Sequence, residues 1–433
     1  MSGQISENAI LSELCDFLAR PVQDADRRRA RLHLLDWIGC AVAAKQEPAA
    51  QILRGQSCHS SADRAFQWGG LGNILEMDDV DKQALLHPGP SIIPAALAVA
   101  SAQSTSMEDL LSAIVVGYEA TIRLGRAVGP AHYAMWHSTG TCGAIGAAAA
   151  SATLLGLDCN QTAHALSLAL SQSAGLWQTR HDPASMGKQL HTAVAARAGV
   201  NAAELAQGGF RGPLTVLEGE QGFFAAMCPD GDVSDIVKDA GANWHIHDVS
   251  FKPWPACRHA HAVIDAALEL RAKVNVNSLE EIEVWTYADA IKFCHRPEPQ
   301  SVIEAKFSLQ HAVAIVLLKG APRLTDFEPA AFQSTEVSEL RRRVRVGIDE
   351  HLNQAYPARF GAKVICRDAE ILVSDALGDP ENPMTENQIR EKAKTLMIAG
   401  RVEGPLSENI VSTVLTGGPS TQTLHDLMSE ALA

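Results

Sequence analysis

No two of the nine cysteines stand at the CxxC spacing of a redox or zinc pair. Their number is odd, and they are scattered from Cys15 to Cys366. This pattern argues against a disulfide framework, gives no zinc-ligand spacing and offers no converging set for an iron–sulfur hydratase. Reduced cysteines in the cytoplasm are the expectation. Positive charge is also scarce: 36 Lys and Arg stand against 50 Asp and Glu, a formal net charge of -14. No basic stripe gathers along the chain, so a nucleic-acid partner is not expected. Long apolar runs are missing too. The nearest approach, 140–157, is mostly Ala and Gly. It reads as a helix packed closely inside the protein, not as a membrane span. The opening residues, MSGQISENAI, show no charged segment followed by an apolar run, so no secretory signal is expected. Walker loops, GxGxxG fingerprints and GxSxG elbows do not occur in a fitting context, and nucleotide or serine-nucleophile chemistry has no support.

What is present is an ordinary globular composition, 46% hydrophobic and 20% charged over 433 residues, enough for two domains. The first 240 residues read as mostly helical. Leu32, Leu35, Ile38 and Val42 recur at helical spacing. Ser106 with Asp109 predicts a capped helix start, and Asn160 predicts another. The character changes near 250. Ile282, Val284 and Thr286 alternate with polar residues as in a half-buried strand, and Val344, Val346 and Ile348 do so again. Val364–Cys366 and Ile371–Val373 are further strand candidates, with helices interleaved at 260–272 and 305–318. Thr385 and Gln388 then predict a capping box for a returning helix. The expected fold class is mainly α with an inserted α+β domain: an all-helical domain from 1–248 and 386–433, and an α+β domain over 249–385.

Four clusters carry chemistry. Glu76-Met77-Asp78-Asp79 is followed by His87-Pro88-Gly89, and carboxylates near a histidine can fix its tautomer. Trp136-His137-Ser138-Thr139 opens the Gly/Ala-rich stretch, where a helix N-terminus offers free N–H groups to an anion. Ser138 or Thr139 would also serve there as a plain cap. Lys188 and His191 are three apart and would share a helix face. Lys252-Pro253-Trp254-Pro255-Ala256-Cys257-Arg258-His259, with His261 beyond, gathers cations in an acidic chain. Ammonium and guanidinium groups suit a small molecule with several carboxylates. Two histidines at 259 and 261 without a paired carboxylate give only a weak metal signal, and no metal is expected.

Taken in order, these segments resemble the MmgE/PrpD family, which includes 2-methylcitrate dehydratases, cis-aconitate decarboxylases and iminodisuccinate epimerases. Ile74–Asp79 with His87-Pro88-Gly89 resembles its "LDFDD…HPG" stretch, and Trp136–Thr139 its "WHPT" helix start. Gly187–His191 resembles "KxLH", Lys252–His261 "KPYPSCRHTH", Ala305–Leu309 "AKFSL" and Asp379–Met384 "DPxNPM". The resemblance implies a helical domain built from both chain ends, an α+β lid, a site in the cleft and a homodimer. It implies a cofactor-free lyase acting on a small di- or tricarboxylate by proton abstraction beside a carboxylate. The implied catalytic residues are His87, His137 and Lys188. The implied substrate-binding residues are Glu76, Lys252, Arg258, His259 and His311. A dehydratase of the 2-methylcitrate type is the leading expectation. Decarboxylation, epimerisation and a non-catalytic carboxylate binder are the alternatives. Glu76 stands where the family has Asp, Val80 where it has Thr or Ser, and Gln310-His311 where it has Pro-Tyr.

Overall fold

Small side chains decide how the helices of this protein pack. In the computed structural model, which describes residues 9–182, 184–239, 243–276, 279–367, 369–417 and 420–433, the helix Ser138–Leu154 is buried at every position but Thr153. A helix that is apolar on all sides belongs inside the protein. It lies against the helices Gly89–Gln103, Met107–Ala127, Cys159–Leu170 and Gly187–Gln207. The approach is close enough that a Cβ on Gly146 would stand 2.1 Å from Thr121 Oγ1 and 2.5 Å from Gly117 O. The Gly/Ala run is therefore a packing surface, as its composition predicts. Among the described residues no helix is long and apolar enough to cross a membrane.

The chain divides into two compact units, Met1–Val249 with Thr385–Ala433, and Ser250–Met384. The first is helical. Ser106 and Asp109 form the expected reciprocal box at the start of Met107–Ala127. The Cys159–Leu170 helix is capped differently from the sequence expectation. Asp158, not Asn160, has the extended backbone of a cap; its carboxylate accepts from Gln161 N, and Gln161 answers to Asp158 N. Thr385 and Gln388 box the start of Glu386–Ala399. That returning helix packs on Asp24–Ala43. There the buried Lys392 meets Asp36 at 2.6 Å and donates to Met77 O at 2.7 Å.

The second unit carries a four-stranded sheet in the order β2-β1-β3-β4. Here β1 is Ile282–Thr286, β2 Val344–Ile348, β3 Ala362–Cys366 and β4 Ala369–Val373. β1 pairs parallel with β2 and antiparallel with β3, and β3 pairs antiparallel with β4. Ile282, Val284 and Thr286 are buried and their neighbours half-buried, the alternation read from the sequence. The helices His261–Arg271 and Leu309–Lys319 pack against the sheet and each other. The helix expected over 305–318 is two helices, Val302–Lys306 and Leu309–Lys319. Ser308 interrupts them and caps the second, its hydroxyl accepting from His311 N. The architecture is mainly α with an inserted α+β part.

Candidate active site

A buried, non-helical stretch between the helices Ser61–Gly69 and Gly89–Gln103 supplies the first side chains. It is tied by a short bridge in which Asp81 and Leu86 exchange backbone hydrogen bonds. Glu76 adopts φ 60°, a left-handed conformation that non-glycine residues seldom take and that is often retained at functional sites. Its carboxylate, 4% exposed as a residue, accepts from Lys188 Nζ at 2.5 Å. Lys188 lies in the first turn of Gly187–Gln207.

His87 is fixed through Nδ1. That nitrogen is 2.8 Å from Asp79 O and 3.1 Å from Asp78 Oδ2. Both are acceptors, so Nδ1 carries the proton and a neutral ring keeps its lone pair on Nε2. Asn73 donates to the same Asp78 oxygen at 2.7 Å. Asp79 holds the corner: Oδ1 accepts from Gly89 N, and Oδ2 accepts from Tyr118 Oη at 2.6 Å and His33 Nδ1 at 2.8 Å. Burial keeps His33 neutral, with its pKa lowered to about 4, and pushes the Tyr118 phenol well above its usual range.

His137 is the N-cap of Ser138–Leu154, with its backbone N–H donating to Gly175 O. Neither Ser138 nor Thr139 caps the helix; Thr139 Oγ1 instead accepts from His87 N at 3.0 Å. This hydroxyl ties the His87 backbone to the start of that helix. The His137 ring is buried, 4.5 Å from the Trp177 ring, and its Nδ1 is 3.2 Å from His191 Nδ1. Its Nε2 is buried and has no hydrogen-bond partner among the described residues. Burial holds the ring well below the usual histidine range, and the charges of Lys188, His191 and His87 add to that effect. Glu76, His87, His137 and Lys188 thus stand together in the first unit, with Asp78 and His191 beside them. The arrangement offers a cation for a carboxylate and two imidazoles for binding and for moving protons.

The other four sequence candidates lie in the second unit. Lys252 is 1% exposed. Arg258 sets its guanidinium against the buried Asp379, whose Oδ1 also accepts from Ser250 Oγ. His259 stacks on Phe293 and Phe360 and has Nδ1 2.7 Å from Tyr287 Oη; burial lowers its pKa to about 4. His311 is fully buried, with Nε2 donating to Asp326 O at 2.8 Å, and burial lowers it to about 4 as well. His261 donates from Nε2 to Ala256 O. Among the described residues, Asp375, Asp379 and Glu381 come near enough to share a cation, but Arg258 and Arg359 already serve two of the three carboxylates.

Sequence reasoning did not assign roles to His191, His33, Tyr118 or Asn73. His191 was within reach, one helical turn from Lys188. His33 and Tyr118 sit inside helices read only for their apolar periodicity, and they meet Asp79 from 46 and 39 residues away.

Comparison with known proteins follows the same lines. Residues 13–235 match the MmgE/PrpD N-terminal domain and residues 254–409 the MmgE/PrpD C-terminal domain. The chain is 26% identical to the cis-aconitate decarboxylase-like protein oryM of Aspergillus oryzae, over 99% of this chain and 97% of that one. It is 24% identical to a cis-aconitate decarboxylase of Aspergillus terreus over 90% of each chain. It is 29% identical to the human cis-aconitate decarboxylase over 65% of this chain and 60% of the human one.

Proposed function

The chain belongs to the MmgE/PrpD family, and we propose that it is a lyase of that family which removes carbon dioxide from a small unsaturated tricarboxylate of the cis-aconitate type. The similarity to cis-aconitate decarboxylases, two of them matched over nine-tenths of both chains, moves the reading from dehydration to decarboxylation. The observation that carries it is His137 Nε2. Buried polar atoms are nearly always paired within a fold. This one has no partner among the described residues, and what sets it apart from other such ring nitrogens is that the charges of Lys188, His191 and His87 all act on its ring.

In the proposed reaction the bond between the leaving carboxylate and its carbon breaks. The electron pair delocalises over the adjacent double bond, and a carbon of that allylic system takes up a proton. Lys188, held by Glu76, neutralises a retained carboxylate. His137 delivers the proton from Nε2 and regains one from solvent afterwards. His87, fixed through Nδ1 by Asp79 O and Asp78, positions the substrate from the wall of the site. Lys252 is proposed to bind a carboxylate, which a raised KM in Lys252→Met would support. A homodimer is proposed from the family resemblance, and sedimentation velocity tests it. A cytoplasmic location is proposed from the odd number of scattered cysteines with no CxxC pair.

The test is a panel of cis-aconitate, 2-methylcitrate and iminodisuccinate in heavy water, followed by proton NMR with carbon dioxide measured in the headspace. Carbon dioxide release with one deuterium gained at carbon supports the proposal. Water loss without carbon dioxide returns the dehydratase reading. Deuterium exchange with neither points to epimerisation. Thermal stabilisation by the ligands with no turnover points to a binding protein.

A further inference from the structure

We infer that His191 is the second half of a proton relay, passing protons between solvent and the buried His137 through their facing Nδ1 atoms. The inference rests on the reading of His137 as the proton-moving group. Its geometric basis is independent of any substrate. The two Nδ1 atoms are 3.2 Å apart and the ring centroids 5.4 Å apart. Two lone pairs or two N–H groups at that distance repel, so the neutral pair shares one proton between the Nδ1 atoms. His137 is 1% exposed, whereas His191 is only half-buried. The buried ring thus reaches water through the other.

The fold makes room for this pair. A Cβ on Gly140 would stand 3.0 Å from His191 Cβ and 2.7 Å from Ala174 O. A Cβ on Gly175, whose φ is 140°, would stand 3.3 Å from His191 Nδ1 and 3.5 Å from His137 Cβ. Two glycines from two segments therefore line the slot that holds the rings.

The relay has two neutral states. In the donor state His137 carries its proton on Nε2, and its bare Nδ1 accepts from His191 Nδ1–H. When His137 gives the Nε2 proton to the substrate carbon, the His191 Nδ1–H bond breaks and a His137 Nδ1–H bond forms. At the same time His191 Nε2 takes a proton from water. The net change is one proton from solvent to carbon, and neither ring becomes an anion. After product leaves, water in the emptied site gives a proton to His137 Nε2, the His137 Nδ1 proton returns to His191 Nδ1, and His191 Nε2 releases one to solvent, which resets the pair. A lone His137 would have to become an imidazolate as it gives up the Nε2 proton. The charges of Lys188, His191 and His87 disfavour the protonated form of His137, while Asp78 favours it. Burial, Lys188 and His87 together outweigh Asp78, so the pair works between neutral states.

The test combines a substrate-free and a kinetic measurement. In full-length wild-type protein labelled with 15N-histidine, two-bond proton–nitrogen correlation spectra at neutral pH should show one Nδ1–H and one bare Nδ1 for this pair, assigned with His191→Asn and His137→Asn. Two bare Nδ1 atoms would overturn the relay whatever the substrate proves to be. In His191→Asn the side-chain amide can keep the hydrogen bond but cannot carry a proton onward. Its kcat should fall at least about tenfold, with KM within about twofold, and added imidazole should restore part of the loss. Wild-type kcat in His191→Asn across pH 5.5 to 8.5 would mean that His191 only positions the ring, and the relay fails. Failure of the decarboxylase reading is seen separately, as no carbon dioxide from wild-type protein whose spectra still show the shared proton.

Discussion

The ammonium of Lys188 donates to the carboxylate of Glu76 at 2.5 Å, across 112 residues of sequence and from a Glu76 backbone held at φ 60°. The pair joins the non-helical stretch to the first turn of Gly187–Gln207. A charge-assisted hydrogen bond with one partner on a strained residue fixes where the cation sits. Glu76→Gln should lower kcat/KM by at least about tenfold, as should Lys188→Met. The double variant should lose little more than the worse single one, because the two side chains act as a unit. A double variant whose loss equals the product of the two single losses would separate them.

His137→Asn removes the unpartnered Nε2 and keeps an amide near the Nδ1 position. The expected outcome is a kcat loss of roughly 10²–10⁴-fold. No intramolecular hydrogen bond at Nε2 is lost, since none is made among the described residues. The stability cost should therefore stay below about 2 kcal/mol, the range of an ordinary buried substitution. Chemical denaturation and the heavy-water assay on the same preparation check both halves.

Tyr118 matters through Asp79, which in turn holds Gly89 N and places the carbonyl that fixes His87. Tyr118→Phe removes one hydrogen bond to a buried carboxylate and leaves His33 on the same oxygen. A loss of roughly 1.5–3 kcal/mol in unfolding free energy is expected. If Asp79 is a structural tie, KM and kcat should change far less than stability does. A large kcat loss with unchanged stability would put Tyr118 in the chemistry itself.

How much of this could be read from the chain differs by element. Alternation in β1 and the Ser106 and Thr385 boxes were legible, because they depend on neighbours a few residues away. The four residues now gathered in the first unit were legible only through the family resemblance, since 112 residues separate Glu76 from Lys188. The Asn160 cap failed by two positions because both Asp158 and Asn160 are good cap types, and only Asp158 has Gln161 three residues on. The break at Ser308 was hidden in a run of helix-forming residues, where a hydroxyl accepting from His311 N competes with the helix. The His137–His191 contact left no local mark at all. Its sequence trace is Gly140 and Gly175, whose missing side chains have meaning only once the rings are seen between them.

Histidines kept neutral by desolvation make stability depend on pH with a definite sign. His33, His259 and His311 each have a pKa lowered to about 4 by burial, against about 6.5 in an unfolded chain. Between those values the unfolded state binds more protons, so stability rises with pH through this window and is complete above about 6.5. Each group is worth roughly 3 kcal/mol over the whole span. Asp36 opposes them. Burial raises its pKa to about 6 despite Lys392, so between its ordinary value and 6 the folded state binds the extra proton and stability falls as pH rises. His137, held well below its usual range by burial, acts in the same direction as the three histidines, so the unfolded state binds more protons in this window. Urea unfolding from pH 4.5 to 7.5 should therefore show free energy climbing to a plateau near 6.5. His311→Leu should be less stable overall, having lost the bond to Asp326 O, yet its pH slope should be shallower by about one proton. An unchanged slope in that variant would mean that His311 takes up a proton in the folded protein, against the enclosed, singly bonded ring that the structure shows.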